Sequence, residues 1–323
     1  MQAGASGARS SVNPAGTPTP GCTSEFRVAF ITDVAGLQSA GDADGWRGVG
    51  DAVRDRPCFR ARLIVPSRPS EYRRALQSGA DAQDNLVIAA SFLLTDAVVA
   101  VARANPGTRF VLADPLVATP GLPNLAVVSF REDQAAYLAG ALSGLLTRSG
   151  VVAGVYGPDG ATDHAHRLGF EHGARYARPG VRVLGAYQPP SEGAPYANPG
   201  WGAAQARAFI AQGADVIFGA GGTTGQGALQ AAAQAGRSCI GADATDPVAG
   251  CLVTSTVKFI DRGVRSTIDE AAAGRWSGGV KALGLAEAAV GLGPFRRSLP
   301  NDAVRRLQQI ADGLAAGTLS TGL

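Results

Sequence analysis

Two carboxylates, one lysine and a run of glycines are the groups in this 323-residue chain best suited to recognition chemistry. Asp33 closes the apolar run RVAFIT, and Asp243 closes SCIGA. A carboxylate at the carboxyl end of a buried strand can accept hydrogen bonds from hydroxyl or N–H groups of a ligand. Asp33 equally suits a turn or helix cap, as Asp after a strand commonly does. Asp246, in the loop ATDP, competes with Asp243 for the same register. Lys258 stands in LVTSTVKFI, where an ammonium needs a counter-charge. Asp33 or Asp243 would supply it. The segment GAGGTTGQG, Gly219 to Gly227, follows a strand-like run and opens a helix, a geometry that turns backbone N–H groups toward an anion or hydroxyl. No Lys-Ser/Thr pair follows its last glycine, so it is not a triphosphate loop, and any single glycine there also fits a plain tight turn.

Catalytic arrangements are not found, and the expectation is a non-enzyme without cofactor or metal. His164, His166 and His172 cluster with Asp163, but the i, i+2 spacing does not put two imidazoles on one helix face. A solvated loop and helix start is the reading for this cluster. No serine occupies a nucleophile elbow, and no cysteine has a histidine nearby in sequence.

The elements that must hold these groups alternate. Strand-like runs fall at Arg27–Thr32, Phe59–Val65, Asn85–Ala90 and Arg109–Ala113, with helical stretches at Gly45–Asp55, Ser70–Ser78 and Thr95–Ala104 between them. The pattern restarts with a long helix, Glu132–Thr147, then strands at Val151–Tyr156, Val181–Tyr187, Asp215–Gly219, Ser238–Ala242 and Leu252–Ser255. Helices His166–Ala177, Trp201–Gln212 and Gly227–Ala235 separate them. Continuous apolar strands divided by helices indicate parallel sheets covered on both faces. The fold class is therefore α/β, with two doubly wound, Rossmann-like lobes. Ligands of such sheets bind outside the carboxyl ends of the strands, where Asp33, Asp114, Gly219 and Asp243 fall.

Composition agrees with two globular lobes. Hydrophobic residues make up 46% of the chain and charged residues 17%, and the net charge of +3 is too mild and too scattered for nucleic-acid binding. No apolar run approaches the roughly 20 residues of a membrane helix. Residues 1–24, rich in Ala, Gly, Ser, Thr and Pro, read as a flexible tether. They lack the hydrophobic stretch of a secretory signal, so either a signal has been removed or the protein is cytosolic. The tether and the four cysteines favour removal.

The ordered segments RVAFITDVAG, NLVIAASFLLTDAV, LPNLAVVSFREDQAAYLAGALSGLLT, GADVIFGAGGTTGQG, SCIGADATD, LVTSTVKFID, AGRWSGGV and GLAEAAVGLGPF together resemble the basic membrane protein family. This is the purine-nucleoside-receptor branch of the type I periplasmic binding proteins. The resemblance implies two lobes joined by a three-crossover hinge that close on a ligand and deliver it to ABC permease subunits. It places lobe 1 at 25–126 plus about 258–281, and lobe 2 at 127–257 plus about 282–323. It implies a monomeric, extracytoplasmic, lipid-anchored receptor for a nucleoside or related heterocycle. A ligand-sensing regulatory domain of the same fold is the alternative.

Carried over residue by residue, the resemblance makes Asp33 a ligand contact. It makes Asp243 the acceptor for ribose hydroxyls, with Lys258 beside the ribose, and brings Gly221 and Gly222 close to the sugar. It makes Tyr196, in PYANPGWG, an aromatic that stacks on the base. The chain departs from the family in the loop VAGLQSAGDADGW, where a stacking Phe followed by Asn is usual and Gly41 and Asp42 stand instead. Trp46 or Phe92 is then the substitute ring, and Asp42 is the polar contact at the second position. The four cysteines allow three pairings. Cys22 and Cys58 precede the first and second strands, and Cys239 and Cys251 enter two consecutive strands of the other lobe. Parallel neighbours about 4.8 Å apart bring such residues within bonding range, which selects Cys22–Cys58 and Cys239–Cys251 and an oxidising compartment. Cys22 after Gly21 also fits an acylation site, although TPTPG before it is no lipoprotein signal; the acylated cysteine is expected upstream.

Overall fold

A computed structural model describes Cys22 and residues 24–54, 56–115, 119–243 and 250–323. Asp246 and most of the expected tether lie outside the described residues. The chain divides into two units. The first runs through Val128 and takes up 260–280; the second holds 129–259 and 281–323. The chain therefore passes between them three times.

The first unit is laid down as β1 Phe26–Ile31, α1 Ala40–Val53, β2 Phe59–Ile64, α2 Tyr72–Asp81, β3 Leu86–Ala89, α3 Thr95–Ala104, β4 Phe110–Ala113 and β5 Leu125–Phe130. The second follows with α4 Glu132–Leu146, β6 Val151–Tyr156, α5 Ala161–Ala177, β7 Arg182–Tyr187, α6 Pro199–Ala211, β8 Val216–Gly219, α7 Gly222–Gln234, β9 Ser238–Gly241 and β10 Leu252–Lys258. Helix α8 Ile260–Ala272 returns to the first unit; β11 Gly279–Leu283, β12 Val290–Leu292 and α9 Asn301–Ala315 complete the chain.

The two sheets repeat one plan. Their orders are β11-β5-β4-β3-β1-β2 and β12-β10-β9-β8-β6-β7. From β2 to β5, and from β7 to β10, neighbouring strands are parallel. Strand β12 runs antiparallel, against β10. This is the type I periplasmic binding protein arrangement. In each sheet the order reverses beside the first strand, between β1 and β3 and between β6 and β8. A crevice opens at such a switch point, outside the carboxyl ends of the strands. The register sets its walls: Ile31 lies opposite Ala89, and Val155 opposite Gly219.

Burial follows the strand sequences. The four residues of β3 and of β4 are all buried, as expected of strands covered on both faces. In the first unit Ile31, Leu76, Val87, Leu94, Val98 and Leu112 share one core. In the second, Leu142, Tyr156, Phe170 and Phe218 pack on one face of the sheet with α9, while Val155, Ile217 and Leu229 pack on the other.

Several elements differ from the sequence expectation. Strand β5 has no counterpart in the sequence expectation, because its apolar run leads almost directly into the long helix α4. Helix α5 starts at Ala161 rather than His166, and α7 at Gly222 rather than Gly227. In both, the first turn is polar or glycine-rich and carries no apolar helical period. Strand β10 extends to Lys258, three residues past the expected end.

Both disulfides are present. Cys22–Cys58 has a Cα separation of 5.5 Å, beside the Phe26 N–H bond to the Cys58 carbonyl. Cys239–Cys251 spans 5.2 Å and ties the amino ends of β9 and β10.

Candidate functional site

Each unit carries polar groups at its switch point. In the first, Asp33 leaves β1 and is buried. Its Oδ1 accepts the Ala35 N–H at 2.7 Å, closing a local turn, and its Oδ2 accepts the Ser91 hydroxyl at 3.1 Å. Ser91 follows β3, so this bond staples the two strands flanking the reversal. Each carboxylate oxygen keeps a second lone pair.

Asp42, expected to contact ligand, is instead fully buried in the first turn of α1. Its Oδ2 accepts the Asp33 N–H at 2.9 Å, and its Oδ1 has no partner among the described residues. Burial raises its carboxyl pKa, the Asp33 N–H bond lowers it and the Asp33 charge raises it, leaving it at about 7. Asp42 is a support for the Asp33 loop. Of the two substitute rings, Trp46 is half-buried and leans on Phe30 at 5.8 Å, whereas Phe92 is 48% exposed in the turn after β3. Phe92 is the open ring of this edge.

The second unit holds the denser cluster. Lys258, at the end of β10, places its Nζ 2.7 Å from Glu132 Oε1 and 3.7 Å from Asp243 Oδ1. The lysine thus finds its counter-charge first in Glu132, at the start of α4, rather than in Asp33 or Asp243. Glu132 is 126 residues away in sequence, so the need for a carboxylate was legible and its identity was not. Asp243 has a left-handed backbone, φ 53°, and its side chain stays half open to solvent. Desolvation raises its pKa, but the charges of Lys258 and His166 outweigh this and hold it below the usual carboxylate range.

His166 corrects the surface reading of the histidines. It is buried on α5, with Nδ1 3.0 Å from the Thr162 carbonyl, while His164 two residues earlier is exposed. A carbonyl only accepts, so the Nδ1 carries a proton. Glu132, His166 and Asp243 bring one ligand-type atom each within 4.8 Å of one another. A dication there would meet the Lys258 ammonium, whose Nζ is 2.7 Å from Glu132 and 3.7 Å from Asp243, so the set is read as a hydrogen-bonding cluster.

At the switch point of this unit, backbone approaches backbone. Gly221 has φ 83°, and a Cβ on it would lie 2.1 Å from the Gly157 nitrogen. Gly222, φ 62°, would place one 2.8 Å from the Tyr196 carbonyl oxygen. Only glycine fits either position. The Tyr196 ring lies over Gly157, where a Cβ would meet its Cε1 at 2.5 Å. Burial and the neighbouring Asp163 charge push the Tyr196 hydroxyl up to about 12. Asp163 is itself buried and accepts the Gly157 N–H at 2.8 Å.

The Tyr196 loop is fixed from beneath by two residues that sequence reasoning missed. Gln188 Oε1 accepts the Tyr196 N–H at 3.2 Å and the Thr224 hydroxyl at 2.8 Å, and its Nε2 donates to the Ala194 carbonyl at 2.9 Å. Thr224 Oγ1 accepts the Asn198 N–H at 3.0 Å. Tyr196, Gly221, Gly222, Asp243 and Lys258 therefore all fall at the carboxyl edge of one sheet. Asp33 and Phe92 occupy the corresponding edge of the other.

Comparison with known proteins agrees with this arrangement. Residues 48–312 match the family described as ABC transporter substrate-binding protein PnrA-like. The chain belongs to that family of solute-binding proteins. Among curated relatives it is similar to a CD4+ T-cell-stimulating antigen of Listeria monocytogenes, 24% identical over 90% of this chain and 87% of that one. It is also similar to basic membrane protein B of Borrelia garinii subsp. bavariensis, 30% identical over 71% of this chain and 67% of that one. Among solved structures, an ABC transporter solute-binding protein from Conexibacter woesei aligns with a TM-score of 0.71 at 21% identity, covering 91% of this chain and 98% of that chain. A transcriptional activator of the comK gene from Bacillus halodurans aligns with a TM-score of 0.74 at 14% identity, covering 91% and 99%, a likeness of fold alone. Members of the family act with small ligands and permease components outside the cytoplasm. Among the described residues no helix is long and apolar enough to cross a membrane.

Proposed function

We propose that this chain is the monomeric receptor of an ABC importer for a nucleoside or a related heterocycle bearing vicinal hydroxyls. The observation that carries the reading is the Asp243–Lys258–Glu132 cluster. Lys258 has its nearest counter-charge in the buried Glu132, which leaves the half-open Asp243 as an ionised acceptor at the carboxyl edge of the sheet. A carboxylate so placed can take two neighbouring hydroxyls. Gly221 and Gly222 bring backbone N–H groups to the same edge, and Tyr196, held by Gln188, offers a rigid ring for a flat heterocycle. On the first unit Phe92 is the exposed ring, with Asp33 as the polar contact. The two disulfides fit an oxidising compartment, and a cytosolic sensor of this fold would have no use for them.

Mass spectrometry of the small molecule carried by natively purified protein identifies the ligand, and calorimetric titration with nucleosides, bases and polyols ranks the classes. Ligand at a hundredfold excess over Kd should stabilise the native state by about 2.7 kcal/mol. Tight binding of a molecule without vicinal hydroxyls, or unchanged affinity after Asp243→Ala, would show the reading to be wrong.

A further inference from the structure

The amino edge of the second unit's sheet, opposite the carboxyl-edge groups described above, carries a second feature. An open cavity of about 710 Å³ lies among the loops that lead into β6, β8, β9 and α9. This is within the size range of small-molecule sites. Three arginines line it, Arg148, Arg237 and Arg297, and all are exposed.

Their charge is not compensated. Some arginines elsewhere meet carboxylates, Arg47 with Asp44 and Asp261, Arg62 with Asp84 and Arg175 with Glu171, whereas the exposed Arg103 and Arg305 meet none among the described residues, so what sets this site apart is that three guanidiniums line one concavity. Here the Arg148 and Arg237 guanidiniums have no hydrogen-bond or ion-pair partner among the described residues, and Arg297 donates only to the neutral Ser238 hydroxyl, at 2.7 Å. One carboxylate lines the cavity, Asp215, and it is committed elsewhere. It accepts the Thr147 hydroxyl at 2.5 Å and the N–H groups of Arg148 and Ser149 at 2.7 and 2.9 Å. Against the desolvation that would raise its pKa, those bonds hold it below the usual carboxylate range, so it stays a fixed brace of the α4–β6 loop.

A concave site with three uncompensated guanidiniums and a spent carboxylate selects a multiply charged anion. The planar fork of arginine matches phosphate oxygens two at a time. We propose that this cavity is a binding site for a phosphate-class polyanion, separate from the site at the carboxyl edge. A soluble oligophosphate and the headgroup of an anionic lipid share that chemistry.

The test uses the whole chain. Tripolyphosphate is titrated calorimetrically into the parent, Arg237→Gln, Arg237→Lys and the triple variant Arg148→Gln/Arg237→Gln/Arg297→Gln. Co-sedimentation with phosphatidylglycerol vesicles, against phosphatidylcholine vesicles, forms the second arm. The expected result is saturable binding that weakens about tenfold or more in the triple variant, less in Arg237→Lys than in Arg237→Gln, with the thermal midpoint retained. Binding in the first arm points to a soluble ligand, and in the second alone to a headgroup. Should the triple variant fail to fold, the two Arg237 variants carry the test. Absence of saturable binding in both arms, or affinity within about twofold of the parent after removal of the guanidiniums, would overturn the proposal.

Discussion

Replacing Asp42 by Asn should abolish a specific pH dependence of folding. The Asp42 carboxyl is fully buried, with one oxygen on the Asp33 N–H and the other without a partner among the described residues, and its pKa is raised from 3.8 to about 7. Between those values the folded chain holds a proton that the unfolded chain has released. The stability this proton confers is complete below about pH 4 and is lost as pH rises through about 7. A shift of that size corresponds to about 4 kcal/mol across the window. Asparagine keeps an acceptor for the Asp33 N–H and never ionises. Urea unfolding of parent and variant from pH 4.5 to 8 should give a stability difference that moves steadily in favour of the Asp42→Asn variant, which becomes the more stable of the two at pH 8. Parallel curves, or a variant weaker at pH 8 than at pH 5 relative to the parent, would refute a protonated Asp42.

Two further perturbations test the second unit. Glu132→Gln should cost about 2–4 kcal/mol, below the full penalty for an orphaned buried charge because Asp243 remains 3.7 Å from the lysine, and Lys258→Met, which takes the ammonium from both carboxylates, about 3–5 kcal/mol; the double variant should cost at least about 1 kcal/mol less than the sum. Additive effects in denaturant unfolding would mean that the pair is not coupled. Removing the Cys239–Cys251 bridge with paired alanines releases a loop of sequence separation 12 and should cost about 3 kcal/mol, seen as a lower thermal midpoint that added reductant no longer changes through this bridge.

What the sequence made legible was whatever depends on neighbours along the chain. Val151–Tyr156 is a strand because six consecutive residues suit a sheet covered on both faces, and its limits emerge as read. The cysteine pairs followed from strand order alone. The sequence did not reveal groups whose role depends on a distant partner. Asp163 sits in a polar stretch that reads as loop, yet it turns inward to hold Gly157, which is why α5 begins five residues early. The spacing of His164 and His166 shows that they face apart, but not that His166 is the inward one. Gln188 and Thr224 look like ordinary loop and helix residues until their mutual hydrogen bond under Tyr196 is seen. Strand β12 and helix α9 are not legible in the sequence, because a three-residue edge strand has too little period and the amphipathic helix follows a weakly patterned stretch.

Under the proposed function, the contact of Gly221 with Gly157 constrains how ligand preference can diverge. Two backbones meet there with no side chain between them, so no substitution can tune recognition at that point without separating β6 from α7. Change of preference must then come from the neighbouring loop. Residues 188–198 hang from Gln188 and Thr224 and carry Tyr196, so that loop can be recast while the two glycines stay as they are. On the proposed reading, a library randomised at 189–197 would vary the ligand-facing loop on an intact fold, whereas one randomised at 157 and 221 would mainly sample misfolding.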